Sequence, residues 1–186
     1  GDRIEAFSYL CVATITKGKV KVNNINPKHL PKELEVLKKM GCEIKTHNSS
    51  ITINANKKLN PVKVTTGPWP SYATDNQPAL MAVLTTIEGK SEIKETIFSN
   101  RMMAAPELIR MGASIKIKGN KATIIGQKLS GAECISSDLR TTFAIILGAI
   151  AAHGKSSIAR VFHGLRGYYN LDKKLQKIGI NIKKIS

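Results

Sequence analysis

The sequence predicts an inside-out α/β fold, a barrel-like domain in which buried helices are surrounded by mixed sheets and amphipathic helices. Three observations predict it: a glycine-marked internal repeat, helices that lack a polar face, and strands that alternate apolar with polar residues. The 186 residues are enough to bury one sizeable core. The alternative, a doubly wound parallel sheet, would need nearly continuous apolar strands, and these strands are too polar for it.

A recurring segment marks the end of the second helix in each unit. In every copy a leucine stands four residues before a glycine, and a short alternating strand follows the glycine. The copies are LKKMGCEI (37–44), LIRMGASI (108–115) and LQKIGINI (175–182). This is the pattern of a helix that is stopped by a glycine and leads into a strand.

A second glycine series recurs at nearly the same interval, about 70 residues, which leaves room for several elements per unit. Its members are Gly18, Gly89 and Gly154. We therefore expect a single domain of three pseudo-repeats, the last of which is incomplete and lacks a strand that a longer chain would supply. Their approximate limits are 1–66, 67–136 and 137–186.

The helices and strands of the units follow from their periodicity. The first helices are nearly apolar all round and must therefore be buried on most sides. They are predicted at 3–16, 75–87 and 138–152. The second helices are amphipathic, at about 31–40, 105–111 and 169–178. The strands, among them KVKVNNI, SITINA, SEIKETI, KATIIG and SSIARVF, alternate, so we expect each to have one solvated face.

Charge and cysteine content exclude several classes of protein. The chain carries 29 Lys and Arg against 13 Asp and Glu, a formal net charge of +16, but only six of the basic residues are Arg. Three interpretations stay open, in this order: a solvated lysine surface, a cleft for phosphate-bearing small substrates, and a nucleic-acid interface, which usually has more Arg and aromatic residues. Cys11, Cys42 and Cys134 favour a reducing, cytoplasmic location over a disulfide scaffold.

No spacing of Cys and His predicts a metal site. The start of the chain is too charged for a signal peptide. The uncharged stretch 141–153 is too short for a bilayer, which takes about 20 residues. We therefore predict no metal and no contact with a membrane.

Two arginines occupy equivalent places in the repeat, before the second helix of the second and third units. Arg101 and Arg166 follow their unit's glycine at the same distance at which Leu30 follows Gly18. We predict that they lie at helix N-termini, where an arginine beside free N–H groups forms an anion site. The alternative is a surface arginine that pairs with a neighbouring carboxylate.

An aspartate precedes each buried helix, at Asp2, Asp75 and Asp138. Each can be a simple N-cap. A carboxylate at the end of an apolar helix is also well placed to accept a proton from a bound hydroxyl. Arg140 lies two residues past Asp138 and either pairs locally or faces the same cleft.

Several stretches together resemble a known family, the enolpyruvyl transferases, and within it the branch that acts on UDP-N-acetylglucosamine. They lie along almost the whole chain in the family's order, and the two segments ETIFSNR and PELIRMGA are the most specific. The matching stretches are DRIEA, TDNQ, IEGKSEIKETIFSNRMMAAPELIRMGA, KLSGA, SDLR and RGYYNLDKKLQKIG.

The resemblance implies two inside-out α/β domains, of which this chain is the later one. It implies transfer of the enolpyruvyl group from phosphoenolpyruvate to the 3-hydroxyl of UDP-N-acetylglucosamine with release of phosphate, the first committed step of peptidoglycan synthesis. That step serves cell-wall biogenesis, cell shape and cell division. The partners it implies are these two small substrates and the missing N-terminal domain, without a cofactor and without nucleic acid. The chain alone is expected to be inactive.

The resemblance also implies roles for particular residues. Asp75 is similar to the family's general base, which also contacts the sugar hydroxyl. Ile97 is similar to the residue whose backbone holds the UDP-sugar, and Arg166 to the arginine that binds phosphoenolpyruvate and closes the cleft. The other matching substrate-binding positions are Arg101, Asp138 and Arg140.

The chain departs from the family pattern around the sugar pocket. The departures that bear on its shape are Tyr72, Ala73, Asn76, Pro78 and Ala104. Two alternative functions stay open at this point. One is the sister enolpyruvyl transferase that acts on shikimate 3-phosphate, and the other is a basic RNA-binding module of the RNA 3′-phosphate cyclase type.

Overall fold

The structure, a computed structural model, describes residues 1–185, except for the side chain of Ser99. The predicted end of the third unit, residue 186, lies outside the described residues. The helices are α1 (Arg3–Ile15), α2 (Pro31–Lys39), α3 (Gln77–Leu84), α4 (Ala104–Arg110), α5 (Leu139–Ala151), α6 (Phe162–Leu165) and α7 (Leu171–Lys177). The strands are β1 (Lys19–Asn23), β2 (Glu43–His47), β3 (Ser50–Asn54), β4 (Lys63–Thr65), β5 (Lys90–Lys94), β6 (Ser114–Lys118), β7 (Lys121–Ile125), β8 (Glu133–Ile135) and β9 (Ser157–Ala159).

Helices α1, α3 and α5 form the centre of the molecule and contact one another. Every residue of α3 is buried, and Phe7 of α1 and Phe143 of α5 are no more than 1% exposed. Removing such side chains from water is the main source of folding free energy, roughly 25 cal/mol per Å² of apolar surface. The prediction that helices without a polar face are buried is confirmed.

The sheets pack against these central helices. Their strand orders are β1-β3-β2, β4-β5-β7-β6 and β8-β9. Pairing is antiparallel except between β4 and β5 and between β8 and β9, where a buried helix connects two parallel strands. Along β5 the side chains alternate, with Ser91 and Ile93 buried and Lys90 and Lys94 exposed. This is the expected pattern of a sheet with one solvated face.

The recurring glycines end the second helices as predicted. Gly41, Gly112 and Gly179 follow α2, α4 and α7 and have φ angles of +105°, +91° and +90°. Side chains rarely adopt this left-handed region, which is why glycine stands at these positions. The three glycines therefore share both a sequence context and a backbone conformation.

The structure differs from the predicted elements in several places. The strand predicted for SSIARVF is limited to Ser157–Ala159, and Phe162 begins helix α6. The second buried helix begins at Gln77 rather than at Asp75, and it ends at Leu84, where the hydroxyls of Thr85 and Thr86 bond to carbonyls of the last turn. Asp75 lies in a 3₁₀ turn, Thr74–Asn76, that precedes the helix. The strand predicted after Gly179 does not form, because within the described residues no hairpin partner pairs with 180–185.

The two predicted anion-site arginines are not at helix N-termini. Arg101 lies within a 3₁₀ turn, Ser99–Met103, that runs into α4, and Arg166 is the C-cap residue of the short helix α6. The prediction of their helix position was wrong because the sequence pattern did not reveal these short turns before α4 and α7. None of the helices formed by residues 1–185 has both the length and the apolar character needed to cross a membrane.

Candidate functional site

Asp75 is the centre of an ion-pair cluster that joins the segment before α3 to the segment before α4 and to the first turn of α5. Its Oδ1 accepts a hydrogen bond from Arg101 Nη2 at 2.8 Å, and its Oδ2 accepts one from Arg140 Nη2 at 3.0 Å. The Asp75 side chain is 36% exposed, whereas Arg101 and Arg140 are only 19% and 18% exposed. The carboxylate is therefore open to solvent on one side and held by two half-buried cations on the other.

Asp75 differs from the two other aspartates that precede buried helices. Asp138 Oδ1 accepts hydrogen bonds from the backbone N–H groups of Arg140 at 2.8 Å and Thr141 at 3.0 Å, and is the N-cap of α5. Asp2 caps α1 in the same way through the N–H of Ile4 at 2.7 Å. Within the described residues Asp75 caps no helix. The N-cap interpretation holds for Asp2 and Asp138, and Asp75 is left for side-chain contacts.

The environment of Asp138 is that of a structural carboxylate. Partial burial favours its protonated form, but hydrogen bonds from the Thr141 hydroxyl, the two backbone N–H groups and Ser137 outweigh this effect and lower the pKa of Asp138 below its usual value. The Thr141 hydroxyl lies 2.6 Å from Asp138 Oδ2. The four hydrogen bonds occupy both carboxylate oxygens and fix the first turn of α5, which carries Arg140.

Two loops lead into this cluster. The entry loop, residues 66–76, connects β4 to α3 and carries Asp75, and the arginine loop, residues 95–103, connects β5 to α4 and carries Arg101. Arg101 also donates through Nε to Thr74 Oγ1 at 3.3 Å, and its guanidinium lies 5.0 Å from the ring centre of Phe98. The guanidinium is thus oriented by three different groups.

The predicted contact residue Ile97 lies in the arginine loop and is 42% exposed. Its backbone N–H donates to Glu95 Oε1 at 2.8 Å. A backbone contact from Ile97 to a ligand would therefore have to use the carbonyl oxygen. The N–H already serves to hold the loop.

Two buried glutamates that the sequence analysis did not single out support the entry loop. Glu33, in the first turn of α2, is 1% exposed, and its Oε1 accepts hydrogen bonds from Ala73 N–H and Asn76 Nδ2, both at 3.0 Å. Glu95 is 2% exposed and bonds to both loops. Glu33 is thus the buried partner of Asn76, one of the residues that the sequence analysis named as departures around the sugar pocket.

Arg166 is exposed, and within the described residues it forms no ion pair with Asp75. Its segment nevertheless packs on the start of α5: a Cβ at Gly164 would clash with the side chain of Thr142, and one at Gly167 would lie 2.8 Å from Leu139. Both glycines therefore permit a close approach to the helix that carries Arg140. Of the predicted residues, the structure brings Asp75, Arg101 and Arg140 together and anchors the segment of Arg166 on α5.

The cysteines take no part in this cluster. Burial raises the pKa of Cys134 to about 11, and it also raises the pKa of Cys11 and of Cys42. All three are buried and carry their proton at neutral pH. They behave as small apolar side chains rather than as nucleophiles.

Comparison with known proteins gives the family. A family model described as EPSP synthase (3-phosphoshikimate 1-carboxyvinyltransferase) matches residues 1–175. The chain therefore belongs to this family of enolpyruvyl transferases, and the resemblance inferred from the motifs is confirmed.

Two relatives match the whole chain closely. The UDP-N-acetylglucosamine 1-carboxyvinyltransferase of Pelagibacter ubique is 44% identical over 186 residues, which are 100% of this chain and 45% of that protein. The UDP-N-acetylglucosamine 1-carboxyvinyltransferase 2 of Clostridium tetani is 43% identical over 185 residues, 99% of this chain and 44% of that protein. The chain thus spans less than half the length of these curated relatives.

Solved structures agree with the fold. The enolpyruvyl transferase NikO from Streptomyces tendae superposes with a TM-score of 0.89 at 25% identity, over 98% of this chain and 44% of that one. An EPSP synthase from Acinetobacter baumannii superposes with a TM-score of 0.76 at 17% identity, over 100% of this chain and 44% of that one. The predicted inside-out α/β fold class is confirmed.

Proposed function

We propose that the chain is the C-terminal domain of a cytoplasmic enzyme that transfers the enolpyruvyl group from phosphoenolpyruvate to the 3-hydroxyl of UDP-N-acetylglucosamine. The observation that carries the proposal is the Asp75 carboxylate, which caps no helix within the described residues and is held open to solvent by Arg101 and Arg140. The names of the relatives at 44% and 43% identity support this choice of substrates. The reaction would commit the sugar to peptidoglycan synthesis and so serve cell-wall growth and division.

The domain would be a single unit of three pseudo-repeats, about 1–66, 67–136 and 137–186, that works against a second domain of the same enzyme. A site between two domains needs both walls to enclose its ligands. The solvent-exposed side of Asp75 is where the second wall would lie. This arrangement accounts for a chain that spans 45% of its Pelagibacter relative.

The charges of the cluster suit the proposed substrates. Both are anionic, and an arriving phosphate or carboxylate would compete with Asp75 for the guanidinium groups of Arg101 and Arg140. Arg166, exposed beside the start of α5, would supply a third cation to phosphoenolpyruvate. Asp138 would act through its cap, since it fixes the turn that carries Arg140.

Asp75 would serve as the general base. The oxygen of the sugar 3-hydroxyl forms a bond to C2 of phosphoenolpyruvate while the electron pair of the double bond takes up a proton at C3. The bond from C2 to the phosphate oxygen then breaks, and loss of a proton from C3 restores the double bond. The hydroxyl proton passes to Asp75 and leaves with the phosphate, so that atoms and charge balance. The backbone carbonyl of Ile97 would help to hold the sugar nucleotide.

The test is phosphate release by the complete enzyme, in which the missing domain is joined to these 186 residues. Asp75→Asn should lower kcat by roughly a hundredfold or more, the usual contribution of a general base, and should change KM much less. Glu88→Gln is the matched control, because Glu88 is an exposed carboxylate whose side chain is 80% accessible. We expect no phosphate release from the isolated chain.

Three outcomes would contradict the proposal. Turnover of shikimate 3-phosphate in place of UDP-N-acetylglucosamine would assign the chain to the sister reaction. An Asp75→Asn enzyme with the wild-type kcat would remove the proposed base. Full activity of the isolated 186 residues would show that no second wall is needed.

A further inference from the structure

One buried carboxylate connects the two loops that form the ion-pair cluster. Glu95 Oε1 accepts hydrogen bonds from the Thr66 hydroxyl at 2.7 Å and from the N–H groups of Ile97 at 2.8 Å and Phe98 at 3.1 Å. Glu95 Oε2 accepts one from the Thr74 hydroxyl at 3.0 Å. Since Thr66 and Thr74 belong to the entry loop, a single side chain holds that loop against the arginine loop.

The direction of the hydrogen bonds at Thr74 is fixed by its neighbours. A guanidinium has only donors and a carboxylate has only acceptors. The single hydroxyl proton of Thr74 must therefore point to Glu95, which leaves a lone pair for the N–H of Arg101 at 3.3 Å. The result is a series of two hydrogen bonds with one direction, from Arg101 to Thr74 and from Thr74 to Glu95.

We propose that Glu95 is a positioning residue for the site: through Thr74 it orients the Arg101 guanidinium toward Asp75. The chemical part of this proposal rests on the proposed function, whereas the structural part does not. Glu95 touches none of the reacting atoms. Its Oε2 acts on the Arg101 guanidinium through the hydroxyl of Thr74, and its Oε1 holds the backbone of the arginine loop. Because Glu95 is only 2% exposed, water does not compete for the Thr74 hydroxyl, which keeps one orientation.

Glu95→Gln tests this series of hydrogen bonds selectively. The amide oxygen can still accept from Thr66, Ile97 and Phe98, so that the arginine loop stays closed. The amide NH₂ must then face Thr74 and donate to it, which turns the Thr74 proton toward Arg101 and breaks their hydrogen bond. Thr66→Val is the control, because it leaves Thr74 unchanged but removes the Thr66 hydrogen bond to the same carboxylate, together with the one that the Thr66 hydroxyl accepts from Thr96 N–H.

The first readout uses the 186-residue chain and needs no activity. In ¹⁵N spectra, the Nε–H signal of Arg101, assigned with Arg101→Lys, should exchange with water on the order of tenfold faster in Glu95→Gln, the change expected for one lost hydrogen bond. Thr74→Val should give the same increase, and Thr74→Ser should restore the slow exchange. The double variant Glu95→Gln/Thr74→Val should be no faster than either single variant.

The second readout is turnover by the complete enzyme. Misplacing Arg101 should lower kcat/KM roughly ten- to a hundredfold in Glu95→Gln and Thr74→Val, and Thr66→Val and Thr74→Ser should stay within about threefold of wild type. A wild-type enzyme that releases no phosphate would overturn the proposed function and leave the spectroscopic result valid.

Two results would overturn the positioning role. One is an Arg101 signal that is unchanged in Glu95→Gln but altered in Thr74→Val, since Thr74 would then act alone. The other is an additive double variant, since the two residues would then act separately. If Glu95→Gln fails to fold, the comparison of Thr74→Val with Thr74→Ser still decides. Equal exchange of the Arg101 Nε–H and equal activity in those two variants would refute the proposed series of hydrogen bonds.

Discussion

Asp75 and Asp138 both precede buried helices, yet their carboxylates have different partners. Asp138 gives both carboxylate oxygens to the first turn of its own helix, and Asp75 gives both of its oxygens to arginines from other segments. The difference arises from one 3₁₀ turn, Thr74–Asn76, which separates Asp75 from the start of α3. A small shift of the helix start is therefore enough to free the Asp75 carboxylate from capping.

The lack of a cap from Asp75 has a structural consequence for the entry loop. Because Asp75 does not cap α3, the loop is held from outside by Glu33 and Glu95, two carboxylates that are buried. The comparison therefore predicts that stability depends on Glu33 and Asp138 and hardly on Asp75. The following substitutions test it, each measured as the free energy of unfolding of the chain in urea.

The largest effect is expected at Glu33. Glu33→Ala leaves Ala73 N–H and the Asn76 amide buried without an acceptor, and should lower the free energy of unfolding by about 2–4 kcal/mol. Glu33→Gln keeps an acceptor oxygen and should lower it by less than about 1 kcal/mol. Equal losses in the two variants would mean that side-chain packing, and not hydrogen bonding, holds the loop.

The next effect is expected at Asp138. Asp138→Ala removes the cap of α5 and should lower the free energy of unfolding by about 1–2 kcal/mol at pH 7. Since the folded-state pKa of Asp138 lies below the unfolded value of about 3.9, its stabilisation is complete above that pH and is lost as the pH falls through the folded pKa. The difference between wild type and variant should therefore shrink in strong acid, and a constant difference would contradict the cap.

The smallest effect is expected at Asp75. Its ion pairs are partly exposed, so Asp75→Asn should change the free energy of unfolding by less than about 1 kcal/mol, and added salt should reduce the change. Combined with a large loss of turnover in the complete enzyme, this result would separate function from stability. A loss as large as that of Asp138→Ala would mean that both aspartates are structural.

Much of the fold could be predicted from the sequence because its signals are local. Glycines that stop helices, apolar helices and alternating strands each depend on a few neighbouring residues. The strand predicted after Gly179 was wrong for the complementary reason, since a strand requires a hydrogen-bonding neighbour as well as a suitable sequence. The short turns before α4 and α7, which displaced Arg101 and Arg166 from helix starts, have no comparable signal.

The candidate site was predicted in part. Asp75, Arg101 and Arg140 were named, but only the packing of α5 beside α3 makes Arg140 a partner of Asp75. The buried glutamates did have local signals. Glu95 continues the inward alternation of Ser91 and Ile93, and Glu33 stands one turn before the buried Leu37. A carboxylate on an apolar face indicates that hydrogen-bond donors of a neighbouring segment lie against that face.

The three central helices have a further consequence for how this molecule can vary. The buried apolar residues of α1, α3 and α5 belong to one hydrophobic core, so none of the three segments that contain these helices has a separate core. The three segments that contain these helices are therefore not exchangeable modules, because each of the helices packs against the other two. The position at which a helix begins is less constrained than its packing: α3 begins two residues past Asp75, whereas α5 begins one residue past Asp138.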